Sequence, residues 1–466
     1  MQRIQEFPSP GLFEDNMLAW QNRGNDVVMK FNVIDLFCGA GGMSEGIIQA
    51  GLHIIYSSDI NESVEQTYKN RHEQLGLRHG VNTFFKKSDI KDLKGKEILK
   101  NINRLPKAKL HQGNVDAIFG GPPCQGFSRA GLRNSDDPRN LLFGEYVRVV
   151  YELQPKYVVM ENVEGFLDMQ FFGYEGIFGH LYPNGITAPE ILSKELHKIG
   201  YEILNPKVLN AADYGVPQRR NRVVFIAYKN NVHKPAYPAP TTIKTHLTLS
   251  DAIGDLNGIS EKLTLFQKES IRGRTKHVDG HFPAYKPIKL EKSDYPNHTD
   301  LVIERFSLYK PGETTSDLKK RITNEGINLS DKKHLLLLLE KRTDYSQEEL
   351  LSIFEKGTSN SDLIDILLTK KSMRTKLHPE QISPTVLTIP DDYISPYGNR
   401  TFSVRELARL QSFDDSFEFL GNRTTGGKRR RIEVPQYTQV GNAVPPLLAR
   451  AIALEIKYAL EKTYCL

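Results

Sequence analysis

A cysteine in a loop of unusual composition is the side chain in this sequence best placed to act as a nucleophile. Cys124 lies in the run G-G-P-P-C-Q-G-F-S at residues 120–128, directly after the strand-like segment 115–119. Glycine and proline at a strand's carboxyl end build a loop of fixed shape, and doubly wound sheets bind ligands at such ends. Most free cysteines are inert small hydrophobic residues, which is our interpretation of Cys38 and Cys465. For Cys124 the rigid loop favours nucleophilic chemistry.

A carboxylate and an arginine-rich run adjoin two other strand-like segments. Glu161 directly follows the apolar run at 157–160, and a lone glutamate at such a place is more often a surface acid than a catalyst. The run Q-R-R-N-R at 218–222 precedes the apolar segment 223–227. Three arginines in this spacing suit phosphate binding, although an ordinary basic loop has the same composition. The residue types alone leave both interpretations open.

A glycine-rich turn and two acidic residues form a third candidate site. The run V-I-D-L-F-C-G-A-G-G at 33–42 leads from a strand into a helix, and its glycines let the backbone approach a ligand closely. Ser44 replaces the third glycine of G-x-G-x-x-G, which disfavours a pyrophosphate site. Asp59 follows the next strand, where it could hold ribose hydroxyls, and Asp89 follows another apolar pair. Each acid alone is as well explained as a cap or a solvated turn. The combination favours a nucleoside cofactor without pyrophosphate, such as S-adenosylmethionine.

Strand-like and helical segments alternate around these residues. Near-continuous apolar runs of this kind are typical of a buried, mostly parallel sheet, and the strand-like runs are residues 32–37, 54–56, 115–119, 157–160 and 223–227. The clearest helix begins at Asp137-Pro138, where a capping residue precedes proline. Its predicted buried face carries Tyr146, Val149, Val150 and Leu153. The pattern predicts a doubly wound α/β domain.

The pattern of predicted secondary structure changes near residue 240. Prolines at 235, 238 and 240 mark a linker, and the strand and helix alternation stops. We therefore predict an arm at 1–30, a catalytic and cofactor-binding domain at 31–240 completed by 436–466, and a smaller, irregular domain at 241–435. Within the smaller domain, charged helical stretches are predicted at 331–342, 347–356 and 361–371. An apolar-faced helix that starts at Pro445-Pro446 ends the chain.

Composition excludes several classes of protein. The composition, 39% apolar and 25% charged, is typical of globular proteins. The length of 466 residues is too large for one compact core. No run approaches the roughly 20 apolar residues that a bilayer span needs. The N-terminus lacks the features of a signal peptide, and three cysteines cannot all pair. These features predict a reducing compartment, the cytoplasm. The net charge of +6 gives only a mild indication of a polyanionic partner.

Seven segments in order resemble the DNA (cytosine-5)-methyltransferase family, in particular its bacterial restriction-modification members. No single segment is diagnostic, but the ordered set is highly specific. The matching segments are D-L-F-C-G-A-G-G at 35–42, G-P-P-C-Q-G-F-S at 121–128, D-P-R-N-L-L-F at 137–143, E-N-V at 161–163, Q-R-R-N-R at 218–222, R-E-L-A-R-L-Q-S-F at 405–413 and Q-V-G-N-A-V-P-P at 439–446.

The resemblance implies a fold, a cofactor and a covalent mechanism. The expected fold is the Rossmann-like fold of S-adenosylmethionine-dependent methyltransferases, with a target-recognition domain at 241–435. Cys124 would attack carbon 6 of a flipped-out cytosine, and Glu161 would hydrogen-bond or protonate N3. Arg222, and Arg220 beside it, would hold the carbonyl oxygen of the base and a nearby phosphate. The residues expected to bind the cofactor are Phe37, Gly39, Gly41, Gly42, Asp59, Ile60, Asp89, Ile90, Leu142, Asn442 and Val444.

Double-stranded DNA is the expected partner, and a cognate restriction endonuclease or other defence proteins would act beside the enzyme. The chain is expected to be a monomer associated with the bacterial nucleoid when it binds DNA, and no metal site is predicted. Expected DNA contacts are Gln125, Ser128, Arg129, Arg133, Gln218 and Arg219, whereas the base-reading residues within 241–380 cannot be identified. The alternatives are an RNA cytosine-5 methyltransferase, as in the transfer-RNA branch of the family, and a catalytically silent DNA-binding relative.

Overall fold

The computed structural model describes residues 31–123, 138–242, 245–259, 262–283, 290–369, 374–425, 429 and 433–465. The predicted arm at 1–30 lies outside these residues. So do five residues with predicted site roles and the predicted helix cap, which are Cys124, Gln125, Ser128, Arg129, Arg133 and Asp137. Within the described ranges, no helix has the length and apolar character that crossing a bilayer requires.

A mixed, mostly parallel sheet forms the centre of the molecule, which confirms the predicted fold class. Its strand order is β3-β2-β1-β4-β5-β10-β8, with β9 paired to β10. The five strands from β3 to β5 are parallel, and β10 runs antiparallel to β5. The described strands are β1 (Asn32–Leu36), β2 (His53–Asp59), β3 (Phe84–Lys87), β4 (Ala117–Gly120), β5 (Tyr157–Asn162), β6 (Gln170–Phe171), β7 (Ile186–Thr187), β8 (Tyr201–Ile203), β9 (Lys207–Asn210), β10 (Asn221–Lys229), β11 (Thr375–Lys376) and β12 (Tyr393–Ile394).

Helices cover both faces of the sheet, because its strands are apolar on both sides. One face packs against the helices at 95–102, 142–153 and 188–198, and the other against the helices at 42–49 and 446–464. The predicted buried face of α4, with Tyr146, Val149, Val150 and Leu153, is confirmed. The helices of this part of the chain are α1 (Gly42–Gln49), α2 (Glu62–Gln74), α3 (Gly95–Ile102), α4 (Leu142–Leu153) and α5 (Ala188–Lys198).

Two further apolar clusters lie in the part of the chain after residue 240. One joins α6 and α7 to α13 and α14, and the other is the core of a group of five helices, α8–α12. The helices predicted at 331–342, 347–356 and 361–371 correspond to α10, α11 and α12. The bounds are α6 (Leu249–Ile253), α7 (Leu265–Arg272), α8 (Asp300–Ser307), α9 (Thr315–Asn324), α10 (Lys333–Arg342), α11 (Gln347–Lys356), α12 (Ser361–Leu368), α13 (Val404–Leu410), α14 (Gln436–Asn442) and α15 (Pro446–Tyr464).

A buried polar network ties the second part of the chain to α2. Arg71 is nearly inaccessible, and its Nε lies 2.8 Å from Oε1 of Glu45. Its Nη1 donates to Ser416 (2.9 Å), and Nη2 lies 3.5 Å from a carboxylate oxygen of Asp414. Thr275 donates to the other oxygen of Glu45. A buried charge left without these partners would cost several kcal/mol, so the network fixes residues 275 and 414–416 against α2.

The chain returns at its C-terminal end to pack against its first helix. Gly46 of α1 faces the start of α15 so closely that a Cβ at this position would overlap the backbone nitrogen of Arg450 and would lie 2.5 Å from the Cβ of Ala449. The apolar side chains of α15 then fill the face of the sheet behind α1. Only glycine permits this helix contact, which places the preceding segment, residues 442–444, beside the glycine-rich turn.

We predict that Gly46→Ala destabilises the protein by about 1–3 kcal/mol, because the new methyl group must push α15 away from α1. The shift of the urea unfolding midpoint measures this loss. Leu454→Ala on the exposed side of α15 is the matched control and should change stability by less than about 0.5 kcal/mol. A Gly46→Ala protein as stable as wild type would contradict the packing described.

Candidate active site

A cavity of about 520 Å³ opens at the carboxyl ends of β1, β2, β4 and β5. Ligand sites of doubly wound sheets lie at this edge, because the loops that follow the parallel strands converge there. The lining residues are Asp35, Phe37, Cys38, Gly39, Ala40, Met43, Ser58, Asp59, Ile60, Asn61, Val64, Ser88, Asp89, Ile90, Lys91, Gly121, Pro122, Pro123, Arg139, Leu142, Glu161, Asn162, Val163, Arg222, Val434, Gln439, Asn442, Ala443 and Val444.

The turn after β1 is held in an uncommon backbone conformation. Phe37 has φ +58° and Gly39 has φ +53°, both in the left-handed region, which a bulky residue such as phenylalanine rarely adopts. The backbone N–H of Cys38 donates to the carbonyl of Ser58 (3.1 Å), and that of Gly39 donates to the Asp59 carboxylate (3.0 Å). These bonds fix the turn to the end of β2. The result is that the Phe37 ring, Gly39 and Asp59 face one cavity, as predicted.

Gly41 and Gly42 are not among the residues that line the cavity, and their predicted cofactor contacts stay predictions. Gly41 has φ +103° and starts α1 with its Cα facing the Tyr68 ring, where a Cβ would approach to 3.2 Å. Gly42 faces the C-terminal segment, and a Cβ there would overlap the carbonyl oxygen of Val444. Both glycines therefore serve backbone conformation and close packing, and Gly42 allows Val444 to reach the cavity.

The other predicted cofactor residues lie on the cavity wall. Ile60 follows β2 and remains 64% exposed. Asp89 is in the loop after β3, where its carboxylate accepts the backbone N–H of Lys91 at 3.0 Å. The remaining members of the predicted set on the wall are Ile90, Leu142, Asn442 and Val444. Segments distant in the sequence therefore converge on one volume.

Asp35 is a site residue that the sequence analysis missed. Its side chain is 1% exposed, lies at the cavity and accepts a hydrogen bond from Ser44 Oγ (2.5 Å) through one oxygen. The other oxygen, Oδ1, has no hydrogen-bond partner. Burial, with a smaller contribution from the Asp59 charge, raises the pKa of Asp35 to about 7 despite the Ser44 hydrogen bond. An acidic residue in the middle of an apolar strand was the signal, since a buried carboxylate needs a partner.

Glu161 and Arg222 form an ion pair at the cavity. Glu161 is 7% exposed, and its Oε1 lies 2.7 Å from Nε of Arg222. The pair forms because β5 and β10 are adjacent and antiparallel, which aligns the end of one strand with the start of the other. Burial raises the pKa of Glu161 above its ordinary value, although the charges of Arg222 and Arg220 partly offset the shift. Glu161 therefore retains a proton to higher pH than a solvated glutamate.

The loop that leads to Cys124 lies against this pair. A Cβ on Gly121 would lie 3.3 Å from Oε2 of Glu161, and the amide of Asn162 donates to the carbonyl of Pro122 at 3.2 Å. Gly121, Pro122 and Pro123 all line the cavity. The residue that follows them in the chain is Cys124, which lies outside the described residues. Its nucleophilic role consequently stays a prediction, as do the DNA contacts of the loop after it.

The structure corrects two predictions for the Q-R-R-N-R run. Gln218, predicted to touch DNA, is completely buried and bonds through its amide to the carbonyl of Leu410 (2.8 Å) and the side chain of Gln411 (2.7 Å). Arg220, predicted to hold the base or a phosphate, is 2% exposed and is not part of the cavity wall. Its Nη1 and Nη2 donate to the carbonyls of Val386 (3.1 Å) and Gly441 (2.8 Å). Both side chains join distant segments instead of contacting ligand.

Arg219, between these two buried residues, is exposed. Its backbone N–H donates to the carbonyl of Ser383 (2.8 Å), and its carbonyl accepts from Thr385 Oγ1 (2.7 Å). The backbone is therefore fixed, and the side chain lies on the surface. The predicted DNA contact of Arg219 is compatible with this position and stays a prediction.

A family model and two similar relatives indicate the same protein family for this chain. The family model described as C-5 cytosine-specific DNA methylase matches residues 31–458. The chain is 31% identical over 440 residues to the type II methyltransferase M.DdeI of Desulfomicrobium norvegicum, covering 92% of this chain and 89% of that protein. It is 33% identical over 434 residues to the type II methyltransferase M1.HphI of Haemophilus parahaemolyticus, covering 91% and 86% of the two proteins.

A solved structure has a similar fold. It is a crystal structure described as a candidate DNA modification methyltransferase encoded within an E. coli prophage, and it superposes with a TM-score of 0.59 at 23% sequence identity. The alignment covers 93% of this chain and all of the other. At this level of identity, the likeness concerns the fold alone.

The cavity suits S-adenosylmethionine, the cofactor that the sequence motifs imply. The carboxyl groups of Asp35, which is buried, and Asp59, which is partly buried, line a space with apolar walls and have no ion-pair partner among the described residues. Buried carboxylates favour a cationic ligand, since they would otherwise lack a charge partner. The sulfonium and ammonium groups of the cofactor are cations, and the negative charge of an ionised Asp35 beside the cavity would favour their binding.

We predict that Asp35→Asn weakens S-adenosylmethionine binding by about 10- to 100-fold, because the variant lacks the negative charge beside the cavity. Because the raised pKa of Asp35 is about 7, the carboxyl group is mainly neutral below that pH and ionised above it. Wild-type affinity should therefore rise between pH 6 and 8, and the variant should lose most of this rise. Calorimetric titration at three pH values measures both effects.

Asp92 provides the control. It is exposed, lies three residues after Asp89 and is not part of the cavity wall. Asp92→Asn should bind the cofactor as wild type does at each pH. Equal affinity of wild type and Asp35→Asn would contradict the role given to the Asp35 charge.

Proposed function

Since this chain belongs to the C-5 cytosine-specific DNA methylase family, we propose that it modifies one specific double-stranded sequence through a covalent Cys124 adduct. The reaction of the family is the transfer of a methyl group from S-adenosylmethionine to carbon 5 of cytosine in DNA. The observation that carries this proposal is the Glu161–Arg222 pair beside Gly121, three residues before the cysteine. Glu161, Arg222 and the three residues that precede Cys124 in the chain thus line one cavity at the edge of the sheet.

Covalent catalysis is needed because carbon 5 of cytosine is a poor nucleophile. The thiolate of Cys124 would form a bond to carbon 6, which places electron density on carbon 5. S-adenosylmethionine supplies an electrophilic methyl group, which carbon 5 takes while the sulfonium sulfur keeps the electron pair. A base then removes the carbon 5 proton, and the electrons of that bond expel the Cys124 sulfur. The products are 5-methylcytosine and S-adenosylhomocysteine.

Glu161 is suited to assist the attack of Cys124. Negative charge develops on the pyrimidine as the carbon–sulfur bond forms, and a proton or hydrogen bond at N3 would stabilise it. Burial raises the pKa of Glu161, so its carboxyl group keeps a proton to higher pH than a solvated glutamate does. Arg222 fixes the carboxyl orientation, and its guanidinium has further donors that would bind the carbonyl oxygen of the base.

The remaining cofactor contacts follow from the wall of the cavity. Phe37 and Ile60 would cover the adenine ring. Asp59 would bind the ribose hydroxyls, and Asp89 the adenine amino group. The C-terminal segment, with Asn442 and Val444, would close the methionine end.

DNA binding requires the target base to leave the duplex. Extrusion of a cytosine costs a few kcal/mol, and contacts to the phosphate backbone would offset that cost. We assign one such contact to the exposed Arg219 and others to Gln125, Ser128, Arg129 and Arg133 in the loop after Cys124. We assign target recognition to residues 241–435. Direct readout would require side chains of this domain to enter the major groove.

We further propose that the enzyme is the modification partner of a restriction-modification or phage-defence system and acts in the bacterial cytoplasm as a monomer. The support is its similarity over nine-tenths of its length to proteins named type II methyltransferases. A cognate restriction endonuclease would then cleave the same sequence when it is unmethylated.

We predict that Cys124→Ser abolishes methyl transfer yet leaves S-adenosylmethionine affinity within about twofold of wild type, since the hydroxyl group is a far weaker nucleophile. Glu161→Gln keeps a hydrogen-bond donor but cannot supply a proton, and its single-turnover rate should fall by about 10²–10⁴-fold. Transfer of tritiated methyl groups to duplex DNA measures both. Glu164→Gln, three residues further on, serves as the control and should retain normal activity. Normal activity in Cys124→Ser would exclude the proposed nucleophile.

We predict that DNA from a host expressing the chain carries 5-methylcytosine at every copy of one short sequence and nowhere else. Bisulfite sequencing reads the modified positions, and the Cys124→Ser host supplies the background. Transfer RNA from the same cells should remain at background. Methylation confined to RNA, or methylated cytosines without a common sequence, would contradict sequence-specific DNA modification.

A further inference from the structure

Two histidines and an aspartate converge in a turn that follows α7, away from the catalytic cavity. We propose that His277, Asp279 and His281 bind one divalent cation of borderline softness, such as Zn²⁺. The sequence analysis predicts no metal site, and the alternating spacing H-V-D-G-H becomes a cluster only because the chain turns at Gly280. This inference does not rest on the proposed function.

The distances fit a shared ion. One potential ligand atom from each of the three side chains lies within 4.8 Å of the other two. Nδ1 of His277 is 3.2 Å from Oδ2 of Asp279, and the two imidazole rings stack with centroids 4.5 Å apart. Zinc binds nitrogen and oxygen at about 2.0–2.2 Å, so two ligands of one tetrahedral ion lie roughly 3.5 Å apart. Small rotations of the side chains would complete the geometry.

Packing already fixes one of the ligands. The His277 ring lies against Gly76, where a Cβ would overlap its Nε2, and the backbone N–H of Val278 donates to the carbonyl of Leu75 at 2.9 Å. The turn is closed by the N–H of His277, which donates to the carbonyl of His281 at 2.8 Å. The three ligands are therefore held near one another before any ion binds, which lowers the entropic cost of binding.

The charges also favour a cation. The backbone N–H of Asp279 donates to Nδ1 of His277 at 3.1 Å, so this nitrogen is an acceptor whose lone pair a metal ion would take over from that N–H. The lone pair lies close to the carboxylate oxygen of the same aspartate. Two electron-rich atoms at this separation repel each other, and a cation bound by both would offset the repulsion.

The ligand set selects the class of metal. Imidazole nitrogen suits Zn²⁺, Ni²⁺, Co²⁺ and Cu²⁺, whereas Mg²⁺ and Ca²⁺ prefer oxygen ligands alone. Three protein ligands leave a fourth position for water. None of the three lies on the wall of the catalytic cavity as described. The ion would therefore act on structure, fixing residues 277–281 against the end of α2.

The test uses the full-length protein without a histidine tag and with its cysteines reduced. Co²⁺ is the spectroscopic probe, since tetrahedral nitrogen and oxygen ligands give visible d–d bands without the sulfur-to-metal charge transfer of a cysteine site. We expect one equivalent of Co²⁺ to bind, and Zn²⁺ to displace it. His281→Gln should weaken binding by at least about 10-fold, and the His277→Gln, His281→Gln double variant should lose it. His197→Gln, an exposed histidine on α5, should bind as wild type.

Proteolysis locates the site independently. Lys276 is exposed beside the turn, so bound Zn²⁺ should slow trypsin cleavage after Lys276 in wild type and not in the double variant. Absence of the d–d bands, equal binding by the double variant, or cleavage unaffected by Zn²⁺ would each overturn the assignment.

Discussion

The buried pairing of Glu161 with Arg222 is the interaction on which the site depends. An isolated glutamate at this depth would be neutral, and an isolated arginine would carry a large desolvation cost. Together they hold a carboxyl group whose pKa is raised but still held down by its partner. The geometry comes from the antiparallel strand β10, which brings the start of its own sequence to the end of β5. A fully parallel sheet would leave Glu161 without this neighbour.

The return of the C-terminal segment completes the cavity in the same way. Residues 442–444 reach the glycine-rich turn because Gly42 and Gly46 allow the chain to pack against α1 without a side chain between them. Arg220 also holds this segment, because its Nη2 donates to the carbonyl of Gly441. The cofactor wall is thus built from both ends of the chain, and its integrity requires the segments between them to fold.

The sequence predicts the strands and most of the cavity wall, because apolar runs and a glycine turn have local physical causes. It fails where the deciding contact is distant. Gln218 and Arg220 have the composition of a DNA-binding loop, yet their partners lie at residues 410 and 411, and 386 and 441. The close approach of Gly41 to Tyr68 and of Gly42 to Val444 likewise joins residues that are distant in the sequence. Asp35 was overlooked although an acid within an apolar strand needs a partner. The cluster at 277–281 depends on a turn that no periodicity reveals.

The central claim, that Cys124 bonds covalently to an extruded cytosine, is tested most directly by a duplex in which the target cytosine carries fluorine at carbon 5. Fluorine cannot leave as a cation, so the enzyme should stop after methyl transfer with its sulfur still attached to the base. Mass spectrometry of the digested complex should then find the peptide with Cys124 joined to a methylated fluorocytosine, and only when S-adenosylmethionine is present. A duplex that is released intact, or an adduct on another residue, would contradict the account.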